Sequence, residues 1–553
     1  MARQHASDSC LLSVIPVIWR WMNSDASCAQ NAPARAELSQ RERGILRVCC
    51  RAARDAVDCA REALCIKCDV TGGKLPAGTA AGVQSMLARG CRPRGLKLQL
   101  GKGHNDPAAS AALGISILDQ LTAVPSLSIA RLSLSGLPLT AQVVRALAAA
   151  APTPRKLCLR SYDLSHCTGL PGTLPSESVP SGVLGLLRHA APHLQQLELS
   201  PLTIAAGASV EALESSLQQC SRLESLTLLL RDSKKRLISW LPDTSTMRGL
   251  LKLDMRCLQL LSPHLQELAA LTALTQLRVG SVESAASAAA AGGTAVPVPA
   301  GPAGLLLLPL PPRLRTLAIS DHIDAAVLAA LQLPACLTRL ELSGLTLCDD
   351  ATDERNNLQP AAAEVLLVAC RQLSGRYHRS TPPPAEYLFG VSKHPFHELY
   401  GPLFAALQPA GLEQLSLSCA PLSVLDVDAL VRHLPLLQVL TLNNGLELVS
   451  LPFLRSLARL RKLCVGQADA DGFYVAPPWD NEDALKCALL ALCKEAPSLE
   501  SITLDCEGWK ELAITLEDAV RWLDVMLTDL KGPHPHVMVF GAESSSSSSG
   551  EED

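Results

Sequence analysis

Residues 337–345 read LTRLELSGL, and residues 412–420 read LEQLSLSCA. In both stretches a leucine is followed by two variable residues, a second leucine, one variable residue and a third leucine. The last two leucines alternate with polar residues at the period of a β-strand, so the pattern predicts a short strand with both leucines on one face. Two further copies are LQQLELSPL at 194–202 and LESLTLLLR at 223–231.

The same pattern recurs along most of the chain, and most neighbouring copies are separated by 23 to 29 residues. The central aliphatic residues are Leu132, Leu157, Leu197, Leu226, Leu253, Leu277, Leu317, Leu340, Leu415, Leu440, Leu463 and Ile502, with a looser copy at 96–100. A single strand cannot bury its leucines, so stacked parallel copies must share one core. Apolar residues at helical spacing predict returning helices at 141–150, 210–217, 263–271 and 424–434.

This repeat resembles that of the leucine-rich-repeat family over about residues 90–510. The resemblance implies an α/β solenoid: a curved parallel sheet of short strands with helices on its convex side and a helical cap at the N-terminus. In that family an Asn or Cys stands five residues after the central leucine, whereas here Leu137, Leu202, Leu258 and Leu345 occupy that place. A leucine-rich helical array is the alternative, which the strand alternation and the Ser-Gly and Ser-Pro turns disfavour.

Composition shifts and long intervals predict the domain organisation. The expected regions are a helical cap at 1–62, repeats at 63–348 with a linker-like insertion at 281–304, an insertion loop at 349–404, repeats and a C-terminal cap at 405–540, and a disordered Ser-rich acidic tail at 541–553. The insertion loop holds the aromatic residues Tyr377, Tyr387, Phe389, Phe396 and Tyr400. Two interpretations stay open, a partner-binding loop and a lid over the repeats.

Residues 45–57, ILRVCCRAARDAV, form a helical pattern with apolar residues on one face and arginines elsewhere. The segment resembles the closing helix of the F-box, a small helical module that attaches a substrate receptor to a cullin-type ubiquitin ligase. The resemblance implies an adaptor-binding surface that includes Leu46, Val48 and Val57. The Leu-Pro opening of the F-box is absent, and Ala52 or Ala53 stands where its Trp is expected. A plain helical cap over the first repeat is the alternative.

The composition indicates a folded protein, because 48% of the residues are hydrophobic and 18% are charged. Aromatic residues make up only 3%, so aliphatic side chains must fill the core. The 20 cysteines follow no zinc-finger or disulfide pattern, which predicts reduced thiols and a cytoplasmic location, with nuclear or ciliary locations as alternatives. No apolar run reaches the ~18 residues of a membrane helix, so we expect no membrane contact.

The sequence contains no motif that points to catalysis. It lacks a phosphate-binding loop, a nucleophile elbow and a zinc-binding His-Glu-x-x-His helix. We therefore predict a protein that is not an enzyme, with no catalytic residue, no metal ligand and no cofactor.

The candidate binding residues flank the central leucines and are expected on the concave face of the sheet. They are Arg131, Lys156, Arg160, Glu198, Lys252, Asp254, Arg256, Arg278, Arg339 and Glu341. Lys156, Arg160, Lys252, Arg256 and Arg278 form a predicted basic patch within this set. Both signs of charge occur and no aromatic residue does, which disfavours nucleic acid and favours a protein partner. The alternative is that these are ordinary solvated strand positions.

Taken together, these patterns predict a protein–protein interaction scaffold that is monomeric apart from its partners. By resemblance, the specific role is the substrate-recognition subunit of a cullin-type ubiquitin ligase, which binds a ligase adaptor through the N-terminal segment. The alternative is a structural scaffold of a cytoskeletal or ciliary assembly without ligase attachment. Repeat architecture leaves the surface residues free, so the sequence does not name the partner.

Overall fold

The structure is a computed structural model of the chain. It describes residues 63–68, 79–100, 107–124, 127–163, 179–204, 211–232, 241–283, 308–346, 398–418, 420, 422–443, 448–466, 482–505, 510–528 and 534–540. These belong to two compact units, a first unit within Met1–Leu223 and a second unit within Glu224–Asp553. The N-terminal cap and its F-box-like segment, residues 1–62, lie outside the described residues.

The first unit alternates short strands with helices. Its strands are β1 (Ala63–Cys68), β2 (Gly95–Leu100), β3 (Arg131–Ser135), β4 (Lys156–Asp163) and β5 (Gln196–Ile204). Its helices are α1 (Thr79–Ala88), α2 (Pro107–Thr122), α3 (Ala141–Ala150), α4 (Val179–Ala190) and α5 (Glu211–Gln218), and α4 is followed by a 3-10 turn at Ala191–His193. All neighbouring strand pairs from β1 to β5 are parallel.

The second unit repeats the same alternation. Its strands are β6 (Ser225–Asp232), β7 (Lys252–Leu261), β8 (Gln276–Glu283), β9 (Leu308–Pro309), β10 (Thr316–Asp324), β11 (Leu331–Gln332), β12 (Arg339–Thr346), β13 (Gln414–Ser418), β14 (Val439–Asn443), β15 (Lys462–Gly466), β16 (Ser501–Asp505) and β17 (His536–Phe540). Its helices are α6 (Ser262–Ala269), α7 (Ala325–Ala330), α8 (Gly401–Leu407), α9 (Val424–His433), α10 (Glu482–Glu495) and α11 (Lys510–Thr528), with 3-10 turns at Gln408–Ala410 and Leu448–Ser456.

The strands of the second unit form one parallel sheet in the order β6, β7, β8, β10, β12 and then β13 to β17. The short strands β9 and β11 pair with each other in a separate parallel ladder. Between two consecutive main strands, a helix or turn leads the chain back, so that the next strand pairs in parallel with the one before it. The described part of each unit is therefore an α/β solenoid, as the sequence predicts.

The central leucines of successive repeats are direct register partners. Leu96, Leu132, Leu157 and Leu197 form one row in the first unit. In the second unit the row runs from Leu226 to Ile502 and continues to Val537 on β17. The members of both rows are at most 8% exposed, and each buried leucine contributes about 1.5–3 kcal/mol of transfer free energy. The leucine row thus fixes the register of each sheet.

Polar side chains cap the N-termini of some of the helices that connect one strand to the next. The Oγ1 atom of Thr140 accepts a hydrogen bond of 3.3 Å from the backbone N–H of Val143 and caps α3. That helix buries Val143, Leu147 and Ala150, which lie at helical spacing on one face. Helix α3 has the predicted bounds, and the helices predicted at 210–217, 263–271 and 424–434 are α5, α6 and α9, each shifted by at most two residues.

A ladder of backbone hydrogen bonds joins the starts of most consecutive strands within each unit. The carbonyl oxygen of Arg461, just before β15, accepts hydrogen bonds from the N–H groups of Glu500 and Ser501 at 2.8 and 3.1 Å. The same two-donor arrangement is repeated at the carbonyl groups of Arg94, Ala130, Arg155, Glu224, Leu251, Thr275, Arg315, Thr338, Glu413 and Gln438. These contacts align consecutive repeats without side chains. Leu137 and Leu345, at two of the places where the family has Asn or Cys, are buried in the core.

The structure also contains strands that the leucine pattern does not predict. Strand β1 precedes the first leucine repeat, and β17 follows the last one. The sequence of β17, HVMVF, has no leucine, although Val537 continues the leucine row. This strand adds an aromatic residue to the face described next.

Candidate binding face

In each main strand, outward-facing residues alternate with the buried leucines. We call the face that these outward residues form the polar face. On β14, for example, Leu440 and Leu442 are buried, whereas Val439, Thr441 and Asn443 are partly exposed. All ten predicted binding residues lie on strands of this kind, four in the first unit and six in the second. Among them, the described side chains are partly or largely exposed.

In the first unit the predicted residues form two different groups. Arg131 and Lys156 are register partners at the beginnings of β3 and β4, so two cations lie side by side. Arg160 instead lies beside Glu198 of β5, with 2.9 Å between its Nη2 atom and a carboxylate oxygen. The Nε atom of Arg160 also donates to Cys158 Sγ at 3.2 Å. Cys158 is only 3% exposed, and burial and then the charge of Glu198 raise the pKa of its thiol, which disfavours the reactive thiolate.

In the second unit the predicted residues lie on β7, β8 and β12, which with β10 form what we call the charged section. Asp254 forms an ion pair of 3.1 Å with Arg256 on the same strand, and it is the register partner of Arg278 on β8. Arg339 and Glu341 form a second ion pair along β12. The positive charge of the predicted basic patch is therefore partly neutralised, because Arg160 and Arg256 both have acidic partners.

Strands β13 to β16 form a different part of the same face, which we call the small-residue section. Its middle row consists of Ser416, Thr441, Cys464 and Thr503, which are register partners. The charged residues at its outward positions are Lys462, where β15 begins, and Asp505, where β16 ends. This section therefore presents small polar groups with a carboxylate at one end.

Strand β17 brings an aromatic residue to the edge of this section. Phe540 is the register partner of Asp505, and 53% of its surface is exposed. The sequence analysis found no aromatic residue among the positions it compared beside the central leucines, and it did not include Phe540, because β17 lacks the leucine pattern that reveals the other strands. Asn443, Asp505 and Phe540 were missed as candidates, although each lies three residues after the central residue of its strand.

A cleft of about 660 Å³ lies near the beginnings of β15, β16 and β17. Its lining includes Arg459, Arg461, Glu500 and His534. Arg461 Nε donates to Glu500 Oε1 at 2.7 Å, which crosses from one repeat to the next. The cleft therefore lies between the turns that lead into neighbouring strands.

A buried carboxyl group forms hydrogen bonds with the chain at the end of the predicted insertion loop. Asp426, at the beginning of α9, accepts hydrogen bonds from the backbone N–H groups of Tyr400 and Ser423 at 2.6 and 3.0 Å, and from Ser423 Oγ at 2.9 Å. Burial raises the pKa of Asp426 to about 6, although these hydrogen bonds act in the opposite direction. Tyr400 is only 2% exposed, so it belongs to the core. The other four aromatic residues of the insertion lie outside the described residues.

Within the described ranges, no cluster of three or more His, Cys, Asp or Glu side chains has a geometry that would hold a metal ion. In the same part of the chain, no helix is both long and apolar enough to cross a bilayer. Leu46, Val48 and Val57, the predicted adaptor-binding residues, lie outside the described part.

The parallel strands, their leucine rows and the returning helices define the fold class of this chain: each of its two units is an α/β solenoid of leucine-rich repeats. No family profile matches the chain, and none of the curated proteins matches it. Among solved structures, an internalin of Listeria monocytogenes covers 81% of this chain and 88% of its own, with 11% identity and a TM-score of 0.31. A leucine-rich-repeat protein of Leptospira interrogans covers 75% and 92%, with 14% identity and a TM-score of 0.27.

A third similar structure is the ectodomain of a plant membrane receptor kinase from Arabidopsis thaliana, in complex with CASPARIAN STRIP INTEGRITY FACTOR 2. It covers 76% of this chain, which spans 45% of the ectodomain's length, with 12% identity and a TM-score of 0.24. Likeness of this degree says nothing about what this chain binds. The class rests on the chain's own strand register.

Proposed function

We propose that this chain is a protein–protein interaction scaffold and that the polar face of the second unit binds another polypeptide. The observation that carries the proposal is the uninterrupted order of the parallel strands from β6 to β17, which places outward side chains in continuous rows. At about 4.8 Å per strand, ten strands give a face about 40 Å long. With a width of about 15 Å, such a face offers about 600 Å², close to the ~800 Å² that each partner contributes to a standard interface.

The chemistry of the rows supports a polypeptide ligand. Small hydroxyl-bearing side chains such as Ser416 and Thr441 let a partner approach closely and both donate and accept hydrogen bonds. Neither residue carries a charge, so little desolvation opposes contact in the small-residue section. The paired charges of the charged section, such as Asp254 with Arg256, favour one orientation of a partner over others.

The test uses the full-length chain and a partner identified by proximity labelling and then purified. Ser416→Arg combined with Thr441→Arg places two long cations in the middle row of the small-residue section. We expect at least about a tenfold loss of affinity, because the added side chains block contact. Gln266→Arg on the exposed side of α6 is the matched control and should bind like the wild type. Equal binding by all three proteins would show that the polar face is not the contact surface.

The finer role, substrate recognition in a cullin-type ubiquitin ligase of the cytoplasm, is supported only by the resemblance of residues 45–57 to an F-box helix. Its test is binding of the purified ligase adaptor to the full-length chain. Binding that is lost with Leu46→Asp or Val48→Asp would support the role. If the adaptor does not bind the wild type, the scaffold acts without ligase attachment, as in the cytoskeletal or ciliary alternative.

A further inference from the structure

Basic residues are concentrated where strands β2 to β4 of the first unit begin. The residues just before β2 to β5 are aligned by the backbone ladder, and in order they are Arg94, Ala130, Arg155 and Gln195. The first residues of the same strands are register partners, and in order they are Gly95, Arg131, Lys156 and Gln196. Neither of these two rows contains an acidic residue. The first unit therefore presents positive charge at the starts of these strands.

Four of the cations in this region have no acidic partner within the described part of the chain. We call them the cation cluster, and they are Arg94, Lys97, Arg155 and Lys156. The two arginines of the cluster are exposed, and the two lysines are partly exposed. On the neighbouring strand β5, the carboxylate of Glu198 already pairs with Arg160 at 2.9 Å. The positive charge of the cluster is therefore not neutralised by that acid.

The equivalent position in the second unit shows how such charges are neutralised within the fold. Arg461 and Glu500 precede β15 and β16, and Arg461 Nε donates to Glu500 Oε1 at 2.7 Å. In the first unit, Arg94 and Arg155 are two strand spacings apart, about 10 Å, and Ala130 lies between them. Like charges at this distance repel one another, so a carboxylate from a partner that lies between them is attracted by both.

The dimensions of the cation cluster fit an extended acidic peptide. The cations before and on β2 lie about 10 Å from those before and on β4. Successive residues of an extended chain advance about 3.3 Å, so acidic residues two or three positions apart are separated by about 7 or 10 Å. Each guanidinium group can bind one carboxylate through two parallel hydrogen bonds. A segment with acidic residues at this spacing therefore reaches the cations of both strands.

The small extent of the cluster favours a polypeptide over a nucleic acid. On β5 the equivalent positions are Gln195 and Gln196, so the positive charge does not continue along the sheet. A groove for nucleic acid needs a longer basic stripe and aromatic rings that stack on the bases. The two aligned rows at the starts of β2 to β5 contain no aromatic residue. An acidic peptide needs only the few cations that the cluster supplies.

We infer that Arg94, Lys97, Arg155 and Lys156 form a docking surface for an acidic segment of a partner polypeptide, in which Asp or Glu residues lie two or three positions apart. The guanidinium groups of the two arginines pair with carboxylates of this segment, and the two lysines add positive charge beside them. This surface belongs to the first unit, so it goes beyond the function proposed for the second unit.

The probe for this surface is a fluorescein-labelled peptide of six Glu-Ser repeats, and fluorescence anisotropy measures its binding to the full-length protein. Arg155→Glu combined with Lys156→Glu should weaken binding about tenfold or more, because two attractive charges become repulsive. Arg94→Glu combined with Lys97→Glu should do the same. A longer peptide with its six glutamates six positions apart should bind more weakly than the probe, and equal binding would contradict the proposed spacing.

The matched control makes the same change of charge in the second unit, by Arg313→Glu combined with Arg315→Glu. Both arginines are exposed, and Arg315 precedes β10 as Arg155 precedes β4. This variant should bind the peptide within about twofold of the wild type. If it weakens binding as much as the variants of the cluster, the peptide senses only the overall charge of the protein, and the inference is wrong.

Two further measurements define the partner and the site. A single-stranded oligonucleotide of 12 nucleotides that displaces the peptide and binds more tightly would overturn the inference, because the cluster would then suit a nucleic acid. Ser416→Arg combined with Thr441→Arg, which tests the polar face of the second unit, should not weaken binding of this peptide, so the two proposals fail independently. Thermal unfolding of each variant is measured, and the two double variants change different strands, so a folding defect in one does not decide the result.

Discussion

The charged section and the small-residue section of the second unit have the same core and different surfaces. Leu340 in the first and Leu440 in the second are members of one buried row, and each is fully buried. Beside them lie Glu341, which pairs with Arg339, and Thr441, which is uncharged. The difference teaches that the strand register depends on the buried leucines and the backbone ladder, so the outward residues vary without changing the register.

The two sections also offer a partner different conditions. In the charged section the ion pairs already satisfy Asp254 and Glu341, and a partner must compete with those pairs or join them. In the small-residue section a partner meets groups that are easier to desolvate. Four changes test this comparison, from the largest expected effect to the smallest.

The first prediction concerns the shared core. Leu340→Ala and Leu440→Ala should each lower the free energy of unfolding by about 2–5 kcal/mol, because each removes a fully buried side chain and leaves a cavity. Denaturant titrations of the two variants measure the effect. If only one of the two substitutions lowered the free energy of unfolding, the leucine row would not be one shared core. Ser343→Ala, at an exposed position of β12, serves as the control with little change expected.

The second prediction concerns the contact between the end of the insertion loop and the small-residue section. Asp426→Ala removes the acceptor for Tyr400 and Ser423 and should cost about 1–3 kcal/mol at pH 4.5. The pKa of Asp426 is raised by folding from 3.8 to about 6, so its contribution is complete below pH 3.8 and is lost as the pH rises through about 6. The cost of the substitution should therefore be smaller at pH 7.5.

The control for this measurement is Asp428→Ala on the exposed side of the same helix, where the pair with Arg432 contributes less than about 0.5 kcal/mol. Unfolding free energies at the two pH values are compared as differences from the wild type, which cancels the titration of all other groups. A cost of Asp426→Ala that is larger at pH 7.5 than at pH 4.5 would contradict the raised pKa.

The third prediction concerns Gly466, the last residue of β15. Gly466→Ala should cost about 1–2 kcal/mol, because the new methyl group displaces the Asn443 side chain and breaks its bond to Ser418. In an Asn443→Ala background the same substitution should be nearly neutral, since the obstacle is gone. Unfolding free energies of the wild type, the two single variants and the double variant measure this coupling. Additive effects would show that Asn443 does not lie over Gly466.

The fourth prediction concerns the ion pairs of the charged section. Glu341→Gln should change the free energy of unfolding by less than about 1 kcal/mol, because both partners of the pair are partly exposed to water. Raising the salt concentration should reduce even this difference. A loss of more than about 2 kcal/mol, measured in denaturant, would mean that the charged section depends on its surface pairs and is not equivalent to the small-residue section.

The sequence predicts the repeats well because each copy carries its own signal. Two leucines two residues apart, such as Leu340 and Leu342, lie on the same face only in a β-strand, so burial of both predicts a strand. The interval to the next copy is long enough for one helix or turn that leads back to the start of the next strand. All central residues that the pattern identifies lie on strands of the parallel sheets. The strand at 536–540 has valines in these places, so a search for leucines does not find it.

The candidate binding residues are harder to predict because the leucine pattern constrains only the core. The sequence-based search considered mainly the positions next to the central leucine, which yielded Arg339 and Glu341. From the positions three residues after it, Arg160 and Arg256 were chosen, but Asn443 and Asp505, which occupy the same place in their strands, were not. An alignment of the repeat copies by their central residues places Asn443 and Asp505 at the same position. Only the register of β17, however, places Phe540 beside Asp505.

The backbone ladder at the strand entrances has a consequence for how such a protein changes over time. Its hydrogen bonds join main-chain groups only, so they do not depend on the number of residues between two strands. Leu340 and Leu415 are aligned as directly as Leu440 and Leu463, although the first pair is separated by a far longer stretch of chain. The segments that connect the strands can therefore differ widely in length while the alignment of the strands stays the same.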